Sequence, residues 1–291
     1  MNTLDLGKLE YADPLYEILS SKVCPDVKDR IFHVKTMSNR SVYKYTEEKT
    51  RIATIGKFFK LDDPKHDRIL RIKGEYDKLQ TIRGYGFDTS PNYVVRPISR
   101  ENRIGLALIE EFIHGKDLDH YFKKAIYEGD GASLKKKLSR LASFLYIFHK
   151  KTEKEEYVEL DSVNIYFQKI LNKLCQQEII SPSDKKEYLK LMDKWLAKTL
   201  LQKTKNGIVH GDSTPTNFIF TERGDVVAID LERMKNADAV FDIGMVCGEI
   251  KHAFLWRTGN RYGAEPFIRH FFESYASYFH DREKACRYPR A

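Results

Sequence analysis

The chain has 291 residues, 42% of them hydrophobic and 32% charged, with a formal net charge of +8. This composition excludes a disordered chain and supports a core large enough to split into two lobes. No run of about 18 apolar residues is present to form a transmembrane segment, and the first residues lack a secretory apolar core. The positive charge is spread along the chain, so it offers no specific nucleic-acid grip. Cys24, Cys175, Cys247 and Cys286 share no metal-ligand spacing and read as reduced thiols of a cytoplasmic protein.

In chain order, the runs Ile31 to Lys35 and Ser41 to Tyr45 predict two strands joined by the polar turn Thr36 to Arg40, with no glycine-rich phosphate loop. Arg51 to Lys60 predicts a third strand, whose alternation puts Ile55 and Lys57 on one face. A helix follows from His66 to Arg83, where Ile69, Leu70, Ile72, Tyr76, Leu79 and Ile82 recur at helical spacing. Beyond Pro91 and Pro97, the stretch Ile104 to Leu118 reads as a buried strand entering a glycine turn and a helix start. From residue 117 the character is helical: Asp117 to Tyr127, Leu134 to Lys151, 161 to 176 and 183 to 204. Further helices are expected to run to Trp256 and from Ala264 to Phe279, the latter dense in aromatic residues that read as core.

The chemistry concentrates between them. Ile208-Val209-His210-Gly211-Asp212-Ser213-Thr214-Pro215-Thr216-Asn217 precedes two apolar runs, Phe218 to Phe220 and Val226 to Ile229, separated by turn residues and ending at Asp230. Paired as a hairpin, the runs bring Asn217 and Asp230 to one end, about 5 Å apart across the ladder. An amide oxygen and a carboxylate are an adequate donor set for Mg2+, which keeps its other positions for water and phosphate. Asp212, five residues before Asn217 in a loop stiffened by Pro215, is placed to accept a proton from an attacking hydroxyl. Asp and Asn beside turns are ordinarily caps, but the ordered set of motif, strand, turn, strand and Ile-Asp points to phosphoryl transfer.

These two motifs, His-Gly-Asp-x-x-x-x-Asn and Ile-Asp-x-Glu, resemble those of the aminoglycoside phosphotransferase and choline kinase family. The resemblance implies an α+β, two-lobed protein-kinase-like fold: a small N-terminal antiparallel-sheet lobe and a larger, mainly helical C-terminal lobe. It divides the chain into a nucleotide-binding lobe with an N-terminal extension (1–110), a hinge (111–116) and a helical catalytic and acceptor-binding lobe (117–291). It implies Asp212 as catalytic base, Asn217 and Asp230 as Mg2+ ligands, and His210 as a structural pin. Lys57, aimed by Glu75 in the segment resembling the family's Glu-x-x-x-Leu helix, is expected on the phosphates of ATP or another nucleoside triphosphate. Ile55 is expected against the base, Ser38 and Asn39 over the phosphates, and the backbone near Glu111 and Ile113 along the adenine edge. Asp242 resembles the family's buried Asp that supports the catalytic loop.

The implied activity is transfer of a γ-phosphoryl group to a hydroxyl of a small molecule such as a sugar, an aminoglycoside-like compound or another metabolite. Gly211 stands where regulated protein kinases carry Arg, and the nine residues 233–241 between Glu232 and Asp242 are too few for a peptide-binding activation segment. An atypical protein serine/threonine kinase and a nucleotide-binding pseudokinase are the alternatives. Glu249, His252, Trp256, Arg257 and Tyr262 are candidates for the acceptor border.

Overall fold

The computed structural model describes residues 4–37, 41–58, 66–101, 104–197 and 204–279. The expected phosphate-covering residues Ser38 and Asn39, and Cys286, lie outside them. The N-terminal part opens with β1 (Asp5–Lys8) and α1 (Pro14–Lys22), neither of them foreseen from the sequence. Asp13 caps α1 by accepting from Leu15 N, with Pro14 in the first turn, a combination worth about 1 kcal/mol to the helix start.

Next come β2 (Phe32–Thr36), β3 (Val42–Glu47) and β4 (Ala53–Phe58), then α2 (His66–Gly84), β5 (Asn92–Val94), β6 (Pro97–Glu101) and β7 (Leu106–Glu111). Six of these strands form one antiparallel sheet in the order β1-β2-β3-β4-β7-β6. Register carries the side-chain placement: Val42 faces Lys57 and Lys44 faces Ile55 across β3 and β4, while Leu108 and Glu110 face Lys57 and Ile55 across β4 and β7. Pleating therefore gathers Ile55, Lys57, Leu108 and Glu110 on one face. The other face packs on α1, where Leu15, Leu19, Phe32, Val34, Tyr45, Leu106 and Ile109 form a small closed core.

Through residues 112–115 the chain leaves β7 for β8 (Lys116–Asp117) and becomes helical: α3 (Leu118–Tyr127), α4 (Gly131–Lys151), α5 (Leu160–Gln176) and α6 (Pro182–Leu196). The α4 stripe Leu134, Leu138, Leu141, Leu145 and Phe148 is fully buried. At roughly 1.5–3 kcal/mol per buried large apolar side chain, that stripe is a major contributor to the main core. The hairpin α5–α6 differs, since α6 buries no residue and α5 exposes Val163, Ile165, Tyr166 and Ile170.

The chain continues through β9 (Gly207–Val209), a 3-10 turn at Pro215–Asn217, β10 (Phe218–Phe220), β11 (Val226–Ala228) and β12 (Lys235–Ala237). It closes with α7 (Val240–Thr258) and α8 (Glu265–Ala276). The expected hairpin is present, with Phe218 paired to Ala228 and Phe220 to Val226; β8 adds to its β10 edge and β5, in parallel, to its β11 edge. The aromatic residues of α8 are indeed core, with Phe271 and Tyr275 fully buried and Phe267 stacked on Phe254 at 5.0 Å.

Candidate active site

Lys57 on β4 is the centre of the first cluster. Its Nζ donates to Glu75 Oε1 of α2 at 2.7 Å and to Asp230 Oδ1 at 3.2 Å, and lies 3.4 Å from Glu110 Oε1 of β7. Glu75 and Glu110 are buried, and Glu110 Oε2 has no hydrogen-bond partner. One cation thus faces three carboxylates. Burial acts against the Lys57 ammonium, but Glu110, Glu75 and Asp230 outweigh it and hold the group well above the usual lysine range. Glu110 is pushed by burial up to about 8 against the pull of Lys57, and Glu75 is raised for the same reason. Glu75 is buried, not paired along its own helix, and Lys78 Nζ, three residues on, reaches to the carbonyl of Glu232.

The second cluster fixes the loop after β9. Asp242, in the first turn of α7, is fully buried and accepts from His210 N at 2.8 Å and Gly211 N at 3.0 Å, with His149 Nε2 of α4 at 3.0 Å. Burial opposes its ionisation, but the hydrogen bonds and charge of His149, together with His210, keep it below the usual Asp range. The His210 ring is tied to backbone at both nitrogens, Nε2 to Ile229 O at 3.0 Å and Nδ1 to the Asp212 amide at 3.3 Å, and lies on Phe218. Gly211 has φ +78°, and a Cβ there would lie 2.2 Å from the Arg233 carbonyl oxygen. Close passage of the chain just before β12 therefore requires glycine at this position.

Asn217 Nδ2 donates to Asp212 O at 2.8 Å, which fixes the amide and turns its Oδ1 to the opposite side. Asn217 O accepts from Ile229 N at 3.0 Å, so the hairpin register holds Asn217 beside Asp230. Asp230 itself adopts φ 64°, ψ 53°, a left-handed conformation costing of order 1–2 kcal/mol in a non-glycine residue. That turn points its carboxylate back at Lys57 and away from the hairpin. The donor set, one amide oxygen and one carboxylate, is hard and suits a magnesium ion that keeps water and phosphate ligands. Asp212 is mostly buried, with Arg233 Nη1 3.7 Å from its Oδ1.

Between the lobes, Glu111 N and Phe112 N donate to Arg96 O and Ala53 O, leaving the Ile113 amide without a partner among the described residues. The Glu111 carboxylate accepts from Arg96 N at 2.8 Å and so is turned onto β6. Ile55 is half-buried on the Lys57 face. Lys44 lies over the Phe112 ring at 3.5 Å, and burial lowers its pKa. Of the acceptor-border candidates, Trp256 and Tyr262 are exposed, His252 lies against Trp256, Glu249 is half-buried, and Arg257 is committed to Asp119 of α3. None of them contacts Asp212 among the described residues.

Sequence reasoning missed Glu110, His149, Arg233 and Lys235. Glu110 was visible as the first charge in the apolar run from Leu106 to Ile109, and Arg233 and Lys235 as two cations at strand spacing directly after the Asp230 motif. The partnership of His149 with Asp242 crosses 93 positions and leaves no local signal.

A family model described as the phosphotransferase enzyme family matches residues 33–284, and the chain belongs to that family. Among solved structures it is similar to APH(2'')-IIa in its ternary complex with streptomycin and ATP, at 15% identity and TM-score 0.55, over 96% of this chain and 86% of that one. It is also similar to choline kinase from Streptococcus pneumoniae, at 18% identity and TM-score 0.50, over 88% and 80% of the two chains. The Plasmodium vivax ethanolamine kinase matches at 12% identity and TM-score 0.52, over 89% and 67%. At these identities the likeness is one of fold, and that fold is the two-lobed protein-kinase-like one. No curated protein matches the sequence. The chain is a phosphotransferase of protein-kinase-like architecture, and no helix among the described residues is long and apolar enough to cross a membrane.

Proposed function

We propose that this phosphotransferase moves the γ-phosphoryl group of ATP to a hydroxyl of a small molecule, in the cytoplasm. The observation that carries the reading is the convergence of Glu75 and Asp230 on Lys57, each within 3.2 Å, with Asp230 two residues beyond the hairpin whose other end holds Asn217 against the Asp212 carbonyl. In this reading residues 1–110 bind the nucleotide, 111–116 form the hinge and 117–291 carry the catalytic loop and the acceptor pocket. The base lies against Ile55, with its edge along the backbone of Glu111 and Ile113.

Asp212 orients the acceptor hydroxyl and takes its proton as the oxygen attacks phosphorus. Lys57, held by Glu75, neutralises charge on the nucleotide phosphates, where a loose transition state spreads charge over the transferring oxygens. Asn217 Oδ1 and Asp230 would hold Mg2+, which supplies further charge neutralisation when bound. His210 and Asp242 take no part in proton transfer; they hold the loop in place.

A protein acceptor fits less well. The segment from Asp230 to Asp242 is consumed by a 3-10 turn, by β12 paired on β9, and by the entry to α7. No stretch of it is left to present a peptide in extended form. The experiment is a pair of variants assayed for ADP release and for Mg2+-dependent nucleotide binding. Asp212→Asn is expected to lower transfer by about 100-fold or more while nucleotide still binds. Asp230→Asn is expected to weaken the Mg2+-dependent binding itself. Equal turnover in wild type and Asp212→Asn would remove the base assignment.

A further inference from the structure

Beside Asp212 the chain runs from Asp230 through a 3-10 turn, Leu231–Arg233, into β12, with Met234 packed on the main core between Arg233 and Lys235. Arg233 Nη1 sits 3.7 Å from the Asp212 carboxylate, with its Nε 3.7 Å from Glu232. Lys235 is different: no carboxylate lies within ion-pair distance of it among the described residues. Its ammonium instead stands 3.7 Å over the Phe241 ring of α7 and 5.7 Å from the Tyr166 ring of α5. The nearest acid that acts on it, Asp242, is already engaged by His149, His210 and Gly211. Partial burial lowers the pKa of this lysine, consistent with a cation held against aromatic rings with no counter-ion.

Resting on the phosphotransferase reading above, we propose that the acceptor is a hydroxylated compound bearing an anionic group, a carboxylate or a phosphate, which is seated on Lys235 between Tyr166 and Phe241. Lys235 is paired across β12 and β9 with Val209, three residues before Asp212, so the lysine and the catalytic loop lie side by side. An acceptor of sugar size would present a hydroxyl at Asp212 and an oxyanion at Lys235. The apolar side chains of Tyr166 and Phe241 suit the faces of a sugar ring. In the transfer, the acceptor oxygen forms its bond to the γ-phosphorus as the bond to the β-phosphate oxygen breaks. The electron pair leaves with ADP and the hydroxyl proton passes to Asp212. A cationic acceptor would meet the Lys235 ammonium, which has no carboxylate within ion-pair distance among the described residues.

The test is calorimetric titration of the full chain, first with Mg2+ and ADP, then, at saturating Mg2+ and ADP, with glucose 6-phosphate, glucuronate, glucose and glucosamine. The expected result is that an anionic member binds at least tenfold more tightly than glucose, with glucosamine weakest. Whether the phosphate or the carboxylate compound leads identifies the anion. Lys235→Met is expected to lower the anionic preference by about tenfold, and Lys235→Glu to reverse it. Nucleotide binding followed by equal affinities for glucose and both anions, or a preference for glucosamine, overturns the proposal. So does an anionic preference unchanged in both Lys235 variants, which would place the anion elsewhere. Absence of Mg2+-dependent ADP binding would instead overturn the phosphotransferase reading on which it rests.

Discussion

Two ionic centres, one inside the helical lobe and one where Asp230 meets the N-terminal sheet, are satisfied to very different degrees. Around Asp242 a single carboxylate receives two backbone N–H groups and a histidine, so every group has a partner and the carboxyl is held below its usual range. Around Lys57 a single ammonium faces Glu75, Glu110 and Asp230, so negative charge exceeds positive, and burial together with the neighbouring carboxylates pushes Glu110 up to about 8. A saturated centre resists rearrangement, because every exchange leaves a buried group unpaired. An unbalanced one favours exchange, and Lys57 and Asp230 are the two groups the proposed reaction needs to redirect towards phosphate and metal.

The largest effect should come from breaking the saturated centre. Asp242→Ala leaves the amides of His210 and Gly211 buried without acceptors and strips His149 of its partner. A loss of about 3–5 kcal/mol in urea unfolding is expected, the range for removing one member of a buried charged network. The loop carrying Asp212 should be displaced in the same variant, so transfer activity should fall even where the chain remains folded. A loss below about 1 kcal/mol would mean that the loop is held by its own turn chemistry, and the contrast between the centres would fail.

An intermediate effect is expected at the unbalanced centre. Lys57→Met removes the cation from beside the buried Glu75 and Glu110, and these respond by taking up protons, so their folded pKa values rise further above the unfolded ones. Stability gained in that way is present at low pH and lost as pH rises. The variant should therefore lose roughly 1–3 kcal/mol near pH 7 and recover most of it near pH 5, whereas Asp242→Ala should not recover. Mg2+-dependent ATP binding should weaken by at least about tenfold at either pH. Thermal unfolding at the two pH values separates the cases, and a pH-independent loss would show that packing, not charge, dominates around Lys57.

How much of this was legible in the sequence divides along the same line. The Asp212, Asn217 and Asp230 set lies within 19 residues of sequence, 212–230, and its strand–turn–strand spacing fixes the geometry locally. The Lys57 to Glu75 contact required two elements to pack, and only the strand alternation and a resemblance pointed to it. Glu110 was passed over because a charge at the end of an apolar strand normally marks its solvated edge, whereas β4 and β6 here flank β7 and bury the position. Elements outside the motif were read coarsely. β1, α1, β5, β6, β8 and β12 are short or polar, and they owe their form to pairing with distant strands or packing beneath the sheet. Lys235 was passed over because its two aromatic neighbours come from α5 and α7, and only the fold brings those helices to one cation.

The smallest and most diagnostic effect should come from Glu110→Gln. In the wild type the folded pKa of Glu110, about 8, stands above the usual carboxylate value. The native state thus holds a proton that the unfolded chain has released. Its contribution to stability is complete at low pH and is lost as pH rises from the ordinary carboxylate range through about 8. Each unit of that shift corresponds to about 1.4 kcal/mol. Glutamine keeps the shape and cannot ionise, so the variant should match the wild type near pH 5 and surpass it by at least about 1 kcal/mol near pH 9. Lys57 retains Glu75 and Asp230 in the variant, and the ammonium, relieved of one competing carboxylate, should bind nucleotide phosphate no less tightly than before. Parallel stability curves for the two proteins from pH 5 to 9 would mean that Glu110 is already ionised and paired at neutral pH. The Lys57 centre would then be balanced in the same sense as the Asp242 centre, and the distinction between a fixed and an exchangeable site would have to rest on Asp230 alone.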